Sequence, residues 1–179
     1  IFRDPNIFVA KYNSAGTYQW AKTYGSTDGG SNNQPYSVAV DTSSNVAVTG
    51  AFQNTINFGG GPIVASGFST DAFALKLNSA GTYVWARGMS GTTNESGRGV
   101  AFDSSGNVIV DGFFTGAVDF GCGTLTSLGG DDIFVAKYAS GGTCTWSKRY
   151  GDLFQQEAFG VAVDSSSNVI ITGQFAGTL

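Results

Sequence analysis

The sequence contains no histidine. That removes every His-dependent catalytic triad, every His-ligated zinc site and the usual imidazole base. Charged residues make up only 12% of the 179 residues, against 41% hydrophobic and 13% aromatic, so disorder is disfavoured. The few charges sum to −4, and an acidic chain with scattered Lys and Arg is a poor nucleic-acid binder. No run of about 18 apolar residues occurs, which excludes a membrane-spanning helix. The two cysteines, Cys122 and Cys144, do not form the CxxC spacing of a redox pair. Neither sustained helical periodicity nor a basic-then-apolar leader is visible. The chain starts at Ile1 rather than Met, and it reads as a mature product or a piece of something longer.

What is present is repetition. Asn6-Ile7-Phe8-Val9-Ala10-Lys11-Tyr12 returns as Asp71-Ala72-Phe73-Ala74-Leu75-Lys76-Leu77 and again as Asp132-Ile133-Phe134-Val135-Ala136-Lys137-Tyr138. A tryptophan follows each copy: Trp20, Trp85 and Trp146. A second block, Val38-Ala39-Val40-Asp41, returns as Val100-Ala101-Phe102-Asp103 and Val161-Ala162-Val163-Asp164. Each is followed by Asn-Val and then by Gly50, Gly112 or Gly173. The chain therefore holds three units, roughly 1–58, 59–120 and 121–179.

Each unit reads as four short strands, in the first copy about 7–12, 18–24, 37–41 and 46–52. Asn13-Ser14-Ala15-Gly16 and Thr42-Ser43-Ser44-Asn45 form hairpin-sized connections, with Gly or Asn available for positive φ. Runs such as Val108-Ile109-Val110 and Val169-Ile170-Ile171 are apolar without alternation, which implies sheets covered on both faces. Small four-stranded sheets, repeated and covered on both faces, make a β-propeller; a solenoid normally has a shorter repeat. The expectation is an all-β propeller segment of three four-stranded blades.

Asp132–Tyr138 (DIFVAKY), Trp146, the stretch VAVDSSSNVIITG over 161–173 and VDFG over 118–121 together resemble the bacterial beta-propeller repeat family called SBBP. The resemblance covers all three copies. It implies a propeller on a secreted or cell-surface bacterial protein, without shared catalytic residues. It also implies more blades than three copies supply. Both chain ends fall in the loop between strand four of one unit and strand one of the next, which leaves three whole four-strand units; if the blade boundary lies instead between strands two and three, one blade is split between the ends. Three blades are too few for a ring, since propellers typically have about 4–8. Two remedies follow: a second copy completes a six-bladed ring, or further blades lie on a longer parent chain.

Repeated residues suggest chemistry and architecture side by side. Trp20, Trp85 and Trp146 could stack on sugars, but one large aromatic per copy more often packs between blades. Lys11, Lys76 and Lys137, with Lys22, Arg87 and Lys148, could form a cationic ring for anionic ligands. The competing role is solvent-facing or edge-blunting. Asp41, Asp103 and Asp164, each with an Asn four residues on, suit turns that bond their own backbone. Asp131 and Asp132, with Asp119, are the densest acidic set and a weak calcium candidate. Cys122 and Cys144 both break the repeat within one unit, replacing Gly60 and the tyrosines Tyr18 and Tyr83. This points to a disulfide and an oxidising compartment. Asp111 breaks a position held by Thr49 and Thr172, and Glu95, Arg98 and Glu157 are unique to their copies. Paired carboxylates of this kind would be needed for glycoside hydrolysis.

The expected role is thus an extracellular, non-enzymatic scaffold for binding or assembly, without assigned catalytic residues or cofactor. Its partner is a protein or a second copy that completes the ring. The alternatives are a carbohydrate-binding propeller and an Asp/Glu-dependent glycoside hydrolase.

Overall fold

The computed structural model describes residues 5–26, 31–67 and 69–178. The chain ends at Ile1 and Leu179, on which the reading of the termini rests, lie outside the described residues. No helix occurs among those described.

Two sheets have four antiparallel strands. The first contains β3 (Gln34–Val40), β4 (Val46–Phe52), β7 (Asp71–Leu77) and β8 (Tyr83–Met89) in that order. The second contains β9 (Glu95–Phe102), β10 (Val108–Phe114), β13 (Asp132–Tyr138) and β14 (Cys144–Tyr150). At the ends stand two strand pairs: β1 (Ile7–Tyr12) with β2 (Tyr18–Tyr24), and β15 (Gln156–Val163) with β16 (Val169–Phe175). Short hairpins β5–β6 (Thr55–Asn57, Pro62–Val64) and β11–β12 (Ala117–Asp119, Thr124–Thr126) ride on the connections inside each full sheet.

The repeat unit and the sheet are therefore out of phase by two strands. Each full blade takes its first two strands from the end of one unit and its last two from the start of the next. Of the two phases that the repeat allows, the second holds: two whole blades are flanked by two half-blades, which together carry the strands of three. The reason is that β4 pairs with β7, Val46 opposite Leu77 through Phe52 opposite Asp71, across the longer connection of residues 53–70. β2 and β3, by contrast, stand in different sheets.

Blades meet face to face, and the core lies in the three gaps between them. Ile7 and Val9 of the first half-blade pack on Val46, Val48, Phe73 and Leu75. Ala72 and Ala74 face Val108, Val110, Phe134 and Tyr138 across the next gap. Ile133 and Val135 face Val161, Val169 and Ile171 across the last. In both inner blades three phenylalanines interlock: Phe58 and Phe52 against Phe73, and Phe120 and Phe114 against Phe134. Edge-to-face and tilted aromatic pairs of this kind add to the burial energy. The non-alternating strands are explained: β4 and β7 are buried at every residue because a neighbour covers each face.

The first strand of each blade lies against its counterparts, with β9 touching both β3 and β15. These three strands line the common axis, and β8 and β14 form the outer rim.

Cys122 and Cys144 are joined by a disulfide across a sequence separation of 22. It pins the β11–β12 hairpin to the rim strand β14. In the preceding blade the Tyr83 ring lies against Gly60 at the same place, so a covalent tie replaces a packing contact. Reduction should lower unfolding free energy by about 3 kcal/mol on loop-entropy grounds. Urea unfolding with and without reductant checks this, and equal midpoints would show that the tie constrains nothing.

Candidate functional site

The repeated polar residues join blades. The Trp20 indole N–H donates to the Ser79 carbonyl at 3.1 Å, and that of Trp85 donates to the Ser140 carbonyl at 3.1 Å. The acceptor in each case is the hairpin turn of the following blade. Gly81 and Gly142 of those turns sit on the indole faces: a Cβ there would come within 2.8 Å of Trp20 and 2.7 Å of Trp85. Both glycines have positive φ, +75° and +92°, so glycine suits the close approach and the backbone geometry together. Lys11 and Lys76 follow the same pattern, with Nζ donating to Ser79 and Ser140 carbonyls at 3.2 Å. Lys137 pairs with Asp103 at 2.8 Å. The cationic residues of strand one thus bind turns rather than form an open ring. Trp146 has no following turn, and its ring lines a groove.

The Asp/Asn hairpins bond their own backbone. Asp103 Oδ1 accepts from the amides of Ser105 and Asn107, and Oδ2 from the Asn107 side chain. Burial alone would raise the Asp103 pKa. The Lys137 ammonium and these donors outweigh it and hold the carboxyl at about 2. Asp41 and Asp164 make the same set of turn bonds.

Of the acidic set, Asp119 accepts from the amides of Gly121 and Gly123. Asp131 accepts from Thr115 Oγ1 and from Gln155 Nε2. Asp132 is fully buried and bonded to Arg149. No group of three or more His, Cys, Asp or Glu that could hold a metal ion occurs among the described residues.

The residues that break the repeat fall in two places. Glu95 of β9 meets Asp71 of β7 across a blade gap, both fully buried. Glu95 accepts from the Gly91 amide at 3.1 Å, and Asp71 from the Ser66 amide at 2.9 Å. Burial first, and then the neighbouring Asp71, pushes the Glu95 carboxyl up to about 8; burial also raises Asp71. Asp111 is buried as well, and burial pushes its carboxyl up to about 6 against the smaller opposing pull of the Gly99 amide and its own. Thr49, its counterpart, donates to the Phe73 carbonyl at 2.6 Å. Glu157 lies apart and accepts from Gln155 and Gln174. A glycosidase needs two carboxyls that reach its substrate, and Glu95 and Asp111 are both closed off from solvent.

The second place is the axis. The pairing between first and second strands slips once per blade: between Pro35 and Ser37, between Gly97 and Gly99, and between Ala158 and Gly160. The residues left over are Tyr36, Arg98 and Phe159, at equivalent positions. A bulge re-aims a side chain. Here it brings the Arg98 guanidinium over the Tyr36 ring at 4.1 Å, blade to blade, with Phe113 at 5.1 Å. Tyr36 and Phe159 are 41% and 48% exposed, and Arg98 is half-buried, its Nε closed off from solvent, with no ion pair among the described residues. The sequence marks Arg98 as unique to its copy, but a bulge shows only in the pairing.

The chain is 27% identical to an uncharacterized WD repeat-containing protein, L264, of Acanthamoeba polyphaga mimivirus over 96% of its length. It is 31% identical to the regulatory protein FlaEY of Caulobacter vibrioides over 59%. It spans 14% and 11% of those two proteins. The chain is a β-propeller segment. A crystal structure of a protein of unknown function from Bacteroides caccae overlaps 89% of it at 12% identity and a TM-score of 0.42, matching 44% of that chain. No family model matches the sequence.

Proposed function

We propose that this propeller segment is a non-enzymatic scaffold on a secreted or cell-surface bacterial protein. Its blades hold Tyr36, Arg98 and Phe159 at the axis to bind a carboxylate-bearing protein partner. One observation carries this reading: Trp20, Trp85 and the strand-one Lys and hairpin Asp residues are engaged in joining blades or closing turns, whereas the bulge position changes identity in every copy, exposed at Tyr36 and Phe159 and half-exposed at Arg98. A guanidinium stacked on an aromatic ring keeps its in-plane donors for a carboxylate. The disulfide suits an oxidising compartment. The SBBP-like motifs suit a bacterial origin.

Titration with a glutamate-rich peptide tests it. Binding should weaken about tenfold or more in Arg98→Gln, as expected for a lost charge-assisted bond. Equal affinity in the variant would remove Arg98 from the site.

A carbohydrate-binding reading has one observation in its favour, the uncovered Trp146 ring. A glycan array read with Trp146→Ala alongside decides it: binding lost in the variant supports the lectin role, and no binding by either discards it.

A further inference from the structure

On the outer rim, one gap between blades holds an open pocket where the next gap is filled. We propose that this pocket binds an acidic sugar, a pyranose ring bearing a carboxylate, with Lys22 as the partner of the carboxylate. The pocket has a volume of about 450 Å³ and lies between β2, the β5–β6 hairpin and the turn that leads into β8. That volume falls among those of small-molecule sites, about 300–1,000 Å³. Both blades that bound the gap contribute their rim strands, β2 and β8, so the pocket is formed without either terminus. It is distinct from the axis and from the groove at Trp146, and it stands whether or not the axis binds a partner.

The second gap shows what is missing from the first. Its corresponding elements are β8, the β11–β12 hairpin and the turn that leads into β14. There Arg87 closes the space. One terminal guanidinium nitrogen donates to the Gly142 carbonyl at 3.2 Å, and a Cβ at Gly121 would come within 2.6 Å of the other. The Tyr138 ring lies 5.6 Å from the guanidinium, and its hydroxyl donates to the Phe120 carbonyl at 3.1 Å. In the first gap Lys22 stands in the place of Arg87, and Leu77 in that of Tyr138. Lys22 is exposed and makes no ion pair among the described residues. Leu77 is fully buried and has no donor to offer the Phe58 carbonyl. The space that a planar guanidinium and a phenol occupy in one gap is therefore free in the other.

Charge selects the ligand. In the second gap the cation Arg87 shares its surroundings with the anion Asp119. Asn57 replaces that aspartate in the first gap, and Lys22 is the one charged side chain among those lining the pocket. A single positive charge results, in a chain whose total is −4. It attracts an anionic group.

The remaining lining suits a sugar ring. Asn57 Oδ1 accepts from the amides of Gly59 and Gly61 at 2.8 and 3.3 Å, which leaves its NH₂ group as a donor. Thr82 adds an exposed hydroxyl. The Tyr83 ring, laid against Gly59 and Gly60, forms an aromatic wall, whereas Cys144 at the equivalent place is tied into the disulfide. A cation for the carboxylate, an amide and a hydroxyl for the ring hydroxyls and an aromatic face for the apolar side of a pyranose are thus gathered in one place. A small inorganic anion would use only the first of these.

Titration with trigalacturonic acid, read by calorimetry and by amide chemical shifts, tests the inference. Shifts should centre on Lys22, Gly59 and Thr82. Binding should weaken about tenfold or more in Lys22→Gln, as expected for a lost charge-assisted bond. Maltotriose, a neutral trimer, should bind more weakly by a similar factor. A Lys22→Arg, Asn57→Asp variant installs the charged pair of the second gap, around which the chain already folds, and should lose binding. No binding by the unaltered chain would overturn the inference. So would undiminished binding in either variant, equal binding of the neutral trimer, or shifts centred on Trp146 or Arg98 instead.

Discussion

Replacing Glu95 with glutamine should stabilise the protein at neutral and alkaline pH and flatten the dependence of its stability on pH. The Glu95 carboxyl is closed off from solvent beside Asp71, and its pKa in the fold is about 8 against an ordinary 4.5. An acid whose folded pKa is raised favours folding while the unfolded chain is also protonated. That contribution is complete below about 4.5, declines as pH rises and is lost by about 8. The slope in this window is about 1.4 kcal/mol per pH unit when one proton is held. Asp71 and Asp111, also raised by burial, act in the same direction. Asp103, held at about 2, acts in the opposite sense and only in acid, as pH falls through the range below its ordinary 3.8. The copies of Glu95 are Asn33 and Gln156, both buried neutral amides. Glutamine therefore already fits this joint once in the chain. Urea midpoints from pH 4 to 9 check the prediction, with a gain on the order of 3 kcal/mol at pH 8. Parallel profiles for the two proteins would show that Glu95 is not the group that titrates.

Gly112→Ala should cost about 3 kcal/mol or more, as overpacking against backbone does. Gly50, Gly112 and Gly173 each stand across from a bulge, where the partner strand's carbonyl presses against the glycine: Gln34, Ser96 and Glu157 respectively. An added methyl would fall far inside contact with that oxygen and, at Gly112, within 2.9 Å of the Phe134 ring. Neither neighbour is a flexible side-chain end. Gly160→Ala on the adjacent strand is the control. A Cβ there meets only the Thr172 methyl at an ordinary 3.6 Å, and Ser37 occupies the equivalent place in the first copy. Thermal melts should separate the two variants by ten degrees or so, on the scale of about 2–4 °C per kcal/mol for a chain of this length. Similar melting temperatures would show that the bulge yields.

The strands were readable because Val, Ile and Phe recur at fixed spacing between turn residues, and β1, β2 and β4 begin and end where the sequence places them. For the phase of the blades, two possibilities stood open, a boundary between units or one between strands two and three. Residues 25–33 and 53–70 are both connections too long for a hairpin, and nothing local tells which runs inside a sheet. That is decided by the pairing of Val46 with Leu77 and its neighbours. The β5–β6 and β11–β12 hairpins escaped notice because three-residue strands are shorter than any periodic signal. At the site, the packing role of Trp20 and Trp85 follows from their constant position, and the disulfide from two exceptions in one unit. Glu95 stood out as an exception too. Its partner Asp71 did not, because it belongs to a series of Asn and Asp at a strand start. The bulge residues Tyr36, Arg98 and Phe159 share no chemistry, so only backbone pairing reveals them as one set.

The two-strand offset between unit and sheet has a mechanical outcome. Every sequence unit acts as a stitch, with two strands woven into one wedge and two into the next. The four strands of a whole wedge are nonetheless consecutive along the polypeptide, so tension strips one wedge by breaking its own ladder and its packing against the neighbours, while the adjacent ladder stays intact. Excising or duplicating one unit at any linker leaves each ladder with a mate of the same kind, so such chains can lengthen or shorten by whole units without fraying.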